Sequence, residues 1–343
     1  MKVKSLIILI FIAVAIGIIA FCNRPKTTST KNHLKIGAAI ALTGFGSDFG
    51  QSENNAIKLL KEKYGDDEEV EFYIEDTRSD VRSGVTAIKK LIDINKCDIL
   101  YCELSSIVNA ASGIIRKAEV TLIAPVYLDL KDNPFAIRNL PSADQENSAL
   151  IDYLISNDVI HDKIAVLYSN DVFGQTCYDS FSKLLPENST LCYSAAIDET
   201  ALRETALKAI GAKPDVIYLG SMSETLGLLV KFLRQNGYKN EIITTDAFSY
   251  DYINSIAGEY AHGVHYVDFK DSGDYKAFRD DYYKRFGVKC VPSAMLCYDG
   301  VSAIVSARKN GEDINGTTYD GLTGEIVIKD NEIIYPIEVV TWE

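Results

Sequence analysis

The sequence predicts an α/β protein with two doubly wound parallel sheets, and three observations support this prediction. Short apolar runs alternate with amphipathic helical patterns along most of the 343 residues. Repeated strand–helix units of this kind form parallel sheets with helices on both faces. The roughly 310 residues beyond a polar N-terminal stretch exceed one ordinary core and suit two lobes. Because ligands bind beyond the carboxyl ends of parallel strands, two facing lobes would enclose a cleft.

Apolar runs predict the strands, and apolar residues recurring at intervals of three and four predict the helices. The strand-like runs are residues 34–42, 70–75, 97–102 and 120–126, followed by 163–169, 190–197, 215–221, 241–246 and 263–269. The clearest helical patterns are residues 83–94, 109–118, 148–156 and 223–237. The first four strands and the next five predict two sheets, which are joined near Arg138 to Asp144.

The first strand, residues 34–42, runs into a turn that contains Gly44, Gly46 and Gly50, and a helical pattern follows. Glycines in such a turn allow the backbone to approach a ligand closely. The free N–H groups of the first helical turn point at whatever is bound there. This turn therefore indicates a binding site at the end of the first strand.

A nucleotide is one candidate for that site. Residues 44–50 are close to a dinucleotide fingerprint, and the second strand ends with Glu75 and Asp76, where a ribose-binding acid is expected. The turn has one residue too many, however, and Asp48 would place a carboxylate where the pyrophosphate must lie. We therefore favour a small solute and expect no cofactor.

The N-terminus has the form of an export signal. An unbroken apolar run from Leu6 to Phe21 follows two lysines and ends at Cys22. An uncleaved spanning helix is the alternative, because the run is about 24 Å long against a hydrocarbon core of roughly 30 Å. Cys22 resembles the lipid-modified cysteine of bacterial lipoproteins, although Phe21 stands where those proteins carry a small residue. Residues 1–22 are therefore predicted to be a signal and lipid anchor, and residues 23–33 a tether outside the membrane.

Composition excludes several classes of partner. The net charge is −13 at pH 7, and phosphate binding needs clustered Lys and Arg. We therefore expect neither nucleic acid nor an anionic lipid surface as a partner. The cysteines and the four histidines show no metal-ligand spacing, so no metal is expected.

Six cysteines remain beyond Cys22, and an even number in an oxidising compartment permits disulfides. Their local order suggests that Cys177 pairs with Cys192 and Cys290 with Cys297. Buried free thiols are the alternative, because a large domain needs no covalent staples.

Six segments, in this order, resemble one family. They are residues 40–50, 75–80, 137–150, 244–266, 298–307 and 319–328, with the sequences IALTGFGSDFG, EDTRSD, IRNLPSADQENSAL, TTDAFSYDYINSIAGEYAHGVHY, YDGVSAIVSA and YDGLTGEIVI. The chain is similar to the type I periplasmic binding proteins, specifically the branched-chain amino-acid-binding receptors of ABC transporters. The resemblance extends from Leu34 to Trp342.

The resemblance implies a two-lobe clamp with three hinge crossings. The first lobe would take residues 33–138 and 271–325, and the second 139–270 and 326–343. The family's function implies a monomeric receptor, anchored outside the cytoplasmic membrane, that hands an amino acid or similar small polar ligand to an ABC permease. A sensor domain without transport is the alternative. An exported enzyme is disfavoured, because neither a Gly-x-Ser-x-Gly elbow nor a His-Glu-x-x-His motif occurs.

The resemblance also implies which residues touch the ligand. Ser105 and Ser106 would bind a ligand carboxylate at a helix N-terminus, or serve as an ordinary N-cap. Asp246 would take an α-ammonium group, or cap the next helix. Phe49 and Phe173, one from each lobe, would sandwich the ligand, or else plug the core.

Four positions depart from the family's pattern. Tyr127 and Leu128 stand where the family has a small residue and Ser or Thr. Ser221 and Met222 stand where the leucine-type receptors have tyrosines. Tyr127 would narrow the pocket or contribute its own hydroxyl, and Leu128 removes a donor. We therefore do not restrict the expected ligand to branched-chain amino acids, nor to amino acids.

Overall fold

The structure, a computed structural model, describes residues 33–65, 69–157 and 163–343. Cys22 and almost all of the predicted tether lie outside this part of the chain. The lipid anchor therefore stays a prediction.

Strands and helices alternate through the first lobe and then through the second. The elements of the first lobe are β1 (Leu34–Ile40), α1 (Ser47–Lys63), β2 (Val70–Asp76), α2 (Val81–Asp93), β3 (Ile99–Cys102), α3 (Ser105–Ala118), β4 (Thr121–Ala124) and β5 (Ala136–Arg138). Those of the second lobe are α4 (Ala143–Ser156), β6 (Lys163–Ser169), α5 (Val172–Leu184), β7 (Thr190–Ile197), α6 (Leu202–Gly211), β8 (Val216–Gly220), α7 (Glu224–Gln235), β9 (Glu241–Thr244), α8 (Asp251–Ala257) and β10 (Val264–Phe269), with short 3₁₀ helices at Asp246–Ser249 and Gly258–Ala261.

The chain then returns to the first lobe before it ends in the second. The returning elements are α9 (Gly273–Phe286), α10 (Pro292–Asn310), β11 (Thr318–Gly321), β12 (Gly324–Lys329) and β13 (Glu332–Ile334), and the last strand is β14 (Ile337–Thr341).

Each lobe is built on one twisted sheet. The first lobe has eight strands in the order β11-β12-β13-β5-β4-β3-β1-β2, all parallel from β13 to β2. At the other side of the sheet, β11 pairs antiparallel with β12, and β12 pairs antiparallel with β13. The second lobe has six strands in the order β14-β10-β9-β8-β6-β7, and only β14 runs antiparallel to its neighbour. The carboxyl ends of the parallel strands form the edge of each sheet at which a ligand is expected.

The central strands are apolar along their whole length because helices cover both faces of each sheet. Every residue of β3, β4 and β8 is buried. In the first lobe α1 and α10 cover one face, and α2 and α3 cover the other. In the second lobe α6, α7 and α8 lie opposite α4 and α5. The predicted fold class, two doubly wound parallel-sheet lobes joined by three hinge crossings, is confirmed.

The three crossings lie at residues 139–142, 270–272 and 335–336. The boundaries expected from the sequence lie between residues 138 and 139, 270 and 271, and 325 and 326. The third lies later than the expected boundary at residue 326, which corrects the extent of both lobes. The reason is that β13 pairs in parallel with β5, through Glu332 and Arg138, and a 2.6 Å salt bridge joins these two side chains.

Hydrogen bonds tie the crossing segments to one another. The hydroxyl of Tyr335 donates to the side-chain oxygen of Asn139 at 2.6 Å, and the Asn139 amide donates to the carbonyl of Leu296 at 2.8 Å. The N–H of Lys270 donates to the carbonyl of Pro336 at 3.1 Å. Each crossing is thus held by at least one of the others.

Gly50 and Gly174 occupy corresponding places in the two lobes, near the start of the helix that follows the lobe's first strand. A Cβ atom at Gly50 would lie 2.2 Å from the carbonyl oxygen of Ala41, and one at Gly174 would lie 2.1 Å from that of Ser169. Only glycine permits so close an approach. Both helix N-termini are therefore held against the ends of β1 and β6, where the cleft opens.

The six cysteines in the described part of the chain are free thiols, four buried and two half-buried. The suggested pairs, Cys177 with Cys192 and Cys290 with Cys297, are not formed, and the alternative of free thiols describes this structure. Within the same ranges, no helix is long and apolar enough to cross a membrane.

Candidate ligand-binding site between the lobes

A cavity of about 430 Å³ lies in the cleft at the carboxyl ends of the strands. The first lobe contributes most of its wall, from α1, the loop after β3 with the start of α3, the loop after β4, and α10. The second lobe contributes Met222, Tyr250 and Tyr252, and Leu140 of the first hinge crossing completes the lining. This volume suits a small organic molecule.

The cavity brings together five of the residues expected at the site. They are Phe49, Ser105, Ser106, Tyr127 and Met222.

The other three expected residues lie outside the lining. Phe173 packs edge-on against the ring of Tyr127, with ring centroids 4.6 Å apart. Ser221 is fully buried, and its Oγ lies 3.3 Å from that of Ser223. Asp246 is buried behind Tyr127.

Ser105 and Ser106 are the first two residues of α3, and the N-cap position falls on Leu104. No side chain caps this helix. The serines are thus not the cap, and both face the cavity. A polar group of the ligand can hydrogen-bond their hydroxyls at this point of the wall.

Asp76 holds the loop between β1 and α1 in shape. Its Oδ1 accepts from the N–H groups of Leu42, Thr43 and Arg78 at 3.0, 3.2 and 2.8 Å, and its Oδ2 accepts from the Thr43 hydroxyl at 2.8 Å. Burial acts to raise the pKa of Asp76, but these hydrogen bonds outweigh it and lower the pKa. Asp76, which stands where a ribose-binding acid is expected, therefore hydrogen-bonds the loop residues around it instead.

Two glutamates, Glu53 and Glu103, form part of the cavity wall. Glu53 lies on α1 and is fully buried, and Glu103 follows β3 and is 8% exposed. The Oε1 atom of Glu53 accepts from the Tyr101 hydroxyl at 2.9 Å, and that of Glu103 accepts from the N–H of Ala41. No other described residue hydrogen-bonds the Oε2 atom of either glutamate, and the two carboxyl groups bond to each other while the pair holds a proton.

Burial and mutual repulsion keep this carboxyl pair protonated to an unusually high pH. Burial, and then the neighbouring Glu103 carboxyl, raises the pKa of Glu53 well above its ordinary value. Burial raises the pKa of Glu103 to about 7, against the lowering effect of the N–H of Ala41. Because two adjacent carboxylates are strongly disfavoured in a dry site, the pair holds a proton at neutral pH.

A second pair of acids, Asp246 and Glu146, lies in the second lobe. The Tyr127 hydroxyl donates to Asp246 Oδ1 across the cleft at 3.1 Å, and the N–H of Asp246 donates to Glu146 Oε2 at 3.2 Å. Burial raises the pKa of Asp246 to about 6, although the hydrogen bond from Tyr127 lowers it. Burial and the charge of Asp246 raise the pKa of Glu146 well above its usual range.

Aromatic side chains of the two lobes meet across the cleft beside the cavity. Phe49 of the first lobe contacts Tyr250 of the second edge-on, with centroids 6.0 Å apart, and Tyr252 lies 5.8 Å from Tyr250. The Tyr252 hydroxyl donates to the carbonyl of Met222 at 3.2 Å, which fixes its ring at the rim. Together with the bond from Tyr127, these contacts show the lobes in a closed arrangement.

An exposed ion pair also bridges the lobes. Lys289 Nζ, in the loop between α9 and α10, lies 2.7 Å from Asp251 Oδ2 at the start of α8. Both side chains are exposed, so the pair contributes little by itself. It marks how near the rims of the two lobes come to each other.

The residues that line the cavity include no Lys, Arg or His. In the described ranges, no group of three or more His, Cys, Asp and Glu side chains is placed to hold a metal ion. The ionisable groups of the wall are the two glutamates and the tyrosines.

Sequence reasoning missed Glu53, Glu103, Tyr250 and Tyr252. Glu103 follows a fully apolar strand at its carboxyl end, which is where ligands bind in such sheets, and this position was a usable signal. Tyr250 and Tyr252 flank the start of α8, four and six residues after Asp246, so they were within reach of the motif. Glu53 gave no signal, because its neighbours Ser52, Asn54 and Asn55 resemble a solvated helix face.

Comparison with known proteins assigns the family. The sequence profile of the periplasmic binding protein family matches residues 33–342. The chain belongs to this family. The predicted type I branch, that of the branched-chain amino-acid receptors of ABC transporters, is confirmed. Membership implies a solute-binding protein located outside the cytoplasm.

Individual relatives agree with this assignment. The Leu/Ile/Val-binding protein homolog 1 of Brucella abortus (strain 2308) is 24% identical over 294 residues, which cover 80% of this chain and 77% of the relative. A leucine binding protein of Thermotoga maritima has a TM-score of 0.71 at 19% identity, covering 90% of this chain and 95% of that one. A solute binding protein of an ABC transporter from Rhodopseudomonas palustris BisB5, solved with 3,4-dihydroxy benzoic acid, has a TM-score of 0.74 at 21% identity, covering 90% and 93%.

Proposed function

We propose that this protein closes its two lobes on one small organic ligand and presents the closed form to an ABC permease. The observation that supports this most is the cavity of about 430 Å³, whose wall is supplied by both lobes. A ligand in such a cavity contacts the two lobes at once only when they are closed. Its binding energy therefore favours closure, and the protein needs no chemical step.

The proposed site uses the rings and hydroxyls that face the cavity. Phe49, Tyr127 and Tyr250 would pack against the body of the ligand. Ser105 and Ser106 would hydrogen-bond a polar group of it. Asp246 would act through Tyr127, which it holds in place, or directly on the ligand if Tyr127 swings aside.

The ligands named for the relatives guide the choice of candidates. One relative is named for Leu, Ile and Val, and another was solved with an aromatic acid. At such low identity a common fold allows different ligands, and Tyr127 and Met222 alter the pocket. We therefore propose an apolar or aromatic small molecule with one polar end, and we do not commit to an amino acid.

A thermal-shift screen of the full chain tests this function. Amino acids, amides, amines and aromatic acids would be screened, because a ligand at 100 times its Kd adds about 2.7 kcal/mol to the free energy of unfolding. Ser106→Trp should fill the cavity and abolish the shift of any hit. Asn109→Trp is the matched control, since Asn109 is exposed on the same helix and does not line the cavity. A hit that survives Ser106→Trp unchanged would place the ligand elsewhere.

Delivery to a permease is proposed from the family alone. In cells that carry the matching permease, deletion of this protein should abolish uptake of the ligand at low concentration. Normal uptake without it would favour the sensor alternative. Since closure is a movement within one chain, we propose that the protein acts as a monomer, held at the membrane through Cys22.

A further inference from the structure

Glu53 and Glu103 form a buried carboxyl pair in the cavity wall. Both residues are more than nine-tenths buried, and outside the pair the Oε2 atom of each lacks a hydrogen-bond partner within the described residues. A buried acceptor without a partner is unfavourable. Because Glu53 keeps its proton, the acceptor open to a ligand is the Oε2 atom of Glu103, and it fits a ligand group that carries N–H donors.

The charge of the wall decides which group this is. An anionic group would face two carboxyl groups, and no cationic side chain lines the cavity to offset them. A carboxylate at this end of the ligand is therefore disfavoured. An ammonium group, by contrast, offers a positive charge and three donors.

The aromatic side chains complete the complementarity. Phe49, Tyr127, Tyr250 and Tyr252 surround the rest of the cavity. Their rings provide apolar surface for the body of the ligand, and their faces also attract a nearby cation. A carboxyl pair and four aromatic rings in one wall match an amine that carries an apolar or aromatic group.

We propose that the Glu53–Glu103 pair recognises a cationic amine, and that the ligand is an organic amine with an apolar or aromatic body. This inference rests on the proposed function, because it names the ligand class of the same cavity. It assigns the ammonium to the first lobe instead of to Asp246, whose Oδ1 atom already accepts from Tyr127.

The proton balance of binding follows from the state of the pair. In the free protein Glu53 keeps its proton, and Glu103, with a pKa of about 7, is mostly protonated at pH 6 and mostly ionised at pH 8. Binding of the ammonium needs ionised Glu103, so at pH 6 the Glu103 proton leaves to water as the ammonium pairs with the carboxylate. The titratable groups facing the pair are Tyr101 and Cys102 of β3, Cys297 of α10 and Asp76 of β2.

The test uses the full chain and a matched panel of ligands. Phenylethyl, indolylethyl, isopentyl and butyl compounds would each be measured as the amine, the carboxylate and the primary amide, by thermal shift and by calorimetry. The expected result is binding of at least one amine, with the corresponding carboxylate at least about ten-fold weaker. The affinity of the amine should rise about ten-fold from pH 6 to pH 8, because Glu103 ionises over this range. Calorimetry in phosphate and in MES at pH 6 should detect a released proton, and calorimetry in phosphate and in HEPES at pH 8 should detect nearly none.

Variants separate recognition from structure. Glu103→Gln should weaken the amine by about thirty-fold or more and remove the pH dependence. Glu53→Gln should weaken it as well. Asp299→Asn is the matched control, because Asp299 is a buried acid of the same lobe that does not line the cavity. It should leave the affinity unchanged.

The possible failures are distinct. If carboxylates or amides bind and the amines do not, the amine assignment is overturned and the receptor function stands. The same holds if an amine binds Glu103→Gln as tightly as the wild type. If no compound of the panel or of the broader screen binds, both proposals fail.

Discussion

Removing the Tyr127 hydroxyl should weaken closure without changing the cavity's apolar surface. In the closed form this hydroxyl donates to Asp246 Oδ1 across the cleft at 3.1 Å. When the lobes separate, both groups are hydrated, so the bond counts only toward the closed form. A hydrogen bond to a charged group contributes about 1.5–3 kcal/mol. Tyr127→Phe should therefore raise the apparent Kd of any ligand by roughly ten-fold to over a hundred-fold.

The assay is calorimetry at pH 8, where Asp246, with a pKa of about 6, is ionised. Tyr153→Phe is the control, because the Tyr153 hydroxyl bonds to His265 within the second lobe and should affect stability but not closure. Asp246→Asn and the double variant complete a mutant cycle. If the effects of the two substitutions on Kd are not additive, the hydrogen bond between Tyr127 and Asp246 contributes to closure. An unchanged Kd in Tyr127→Phe refutes the closure bond. If Asp246→Asn weakens ligand binding equally with and without the Tyr127 hydroxyl, a direct contact of Asp246 with the ligand is favoured.

Three further predictions concern the anchor, the motion and the stability. Cys22→Ala should release the protein from membranes or block its processing, and unchanged gel mobility and membrane fraction would favour an uncleaved anchor instead. The fragment Leu34–Glu343, which forms a compact unit by itself, should scatter with a smaller radius once ligand is bound, and an equal radius at saturation would contradict hinge closure. The protein should also unfold more easily at pH 8 than at pH 5. Burial raises the pKa of Asp246 and Asp268 to about 6 and of Asp299 to about 7. The native state therefore binds more protons than the unfolded chain over this range, and each group lowers the free energy of unfolding by up to about 1.4 kcal/mol per pH unit as the pH rises. Thermal melts across the range measure this, and Asp299→Asn should flatten the dependence.

The central strands could be predicted from the sequence because burial on both faces leaves an unbroken apolar run. All nine runs correspond to strands, from β1 to β4 and from β6 to β10. The short strands β5 and β13 could not be predicted in this way. Each has only three residues, and their pairing joins positions that lie almost two hundred residues apart. That pairing depends on the tertiary structure, and it is the reason why the third crossing lies after the expected boundary at residue 326.

In the candidate site, too, some residues could be predicted from local sequence patterns and others depend on tertiary contacts. Residues next to strand ends, such as Ser105 and Tyr127, were predicted because the resemblance to the amino-acid receptors implies ligand contacts at these positions. Glu53 was not predicted, because the residues next to it in the sequence are polar. Its burial depends on the packing of α10 against α1. Asp246 was found as an acid in the second lobe, but its bond to Tyr127 depends on the distance between two lobes, which no local pattern encodes.

The linkage between the hinge segments has a consequence for signalling. Tyr335 donates a hydrogen bond to Asn139, and the carbonyl of Pro336 accepts one from Lys270. Bending of one connection is therefore expected to move the others. The lobes are therefore expected to turn about one shared axis, with a single coordinate from open to shut. Whatever molecule fills the cavity, a membrane partner would sense the same two shapes. The residues that line the cavity would select the ligand, and the membrane partner would respond only to whether a ligand is bound.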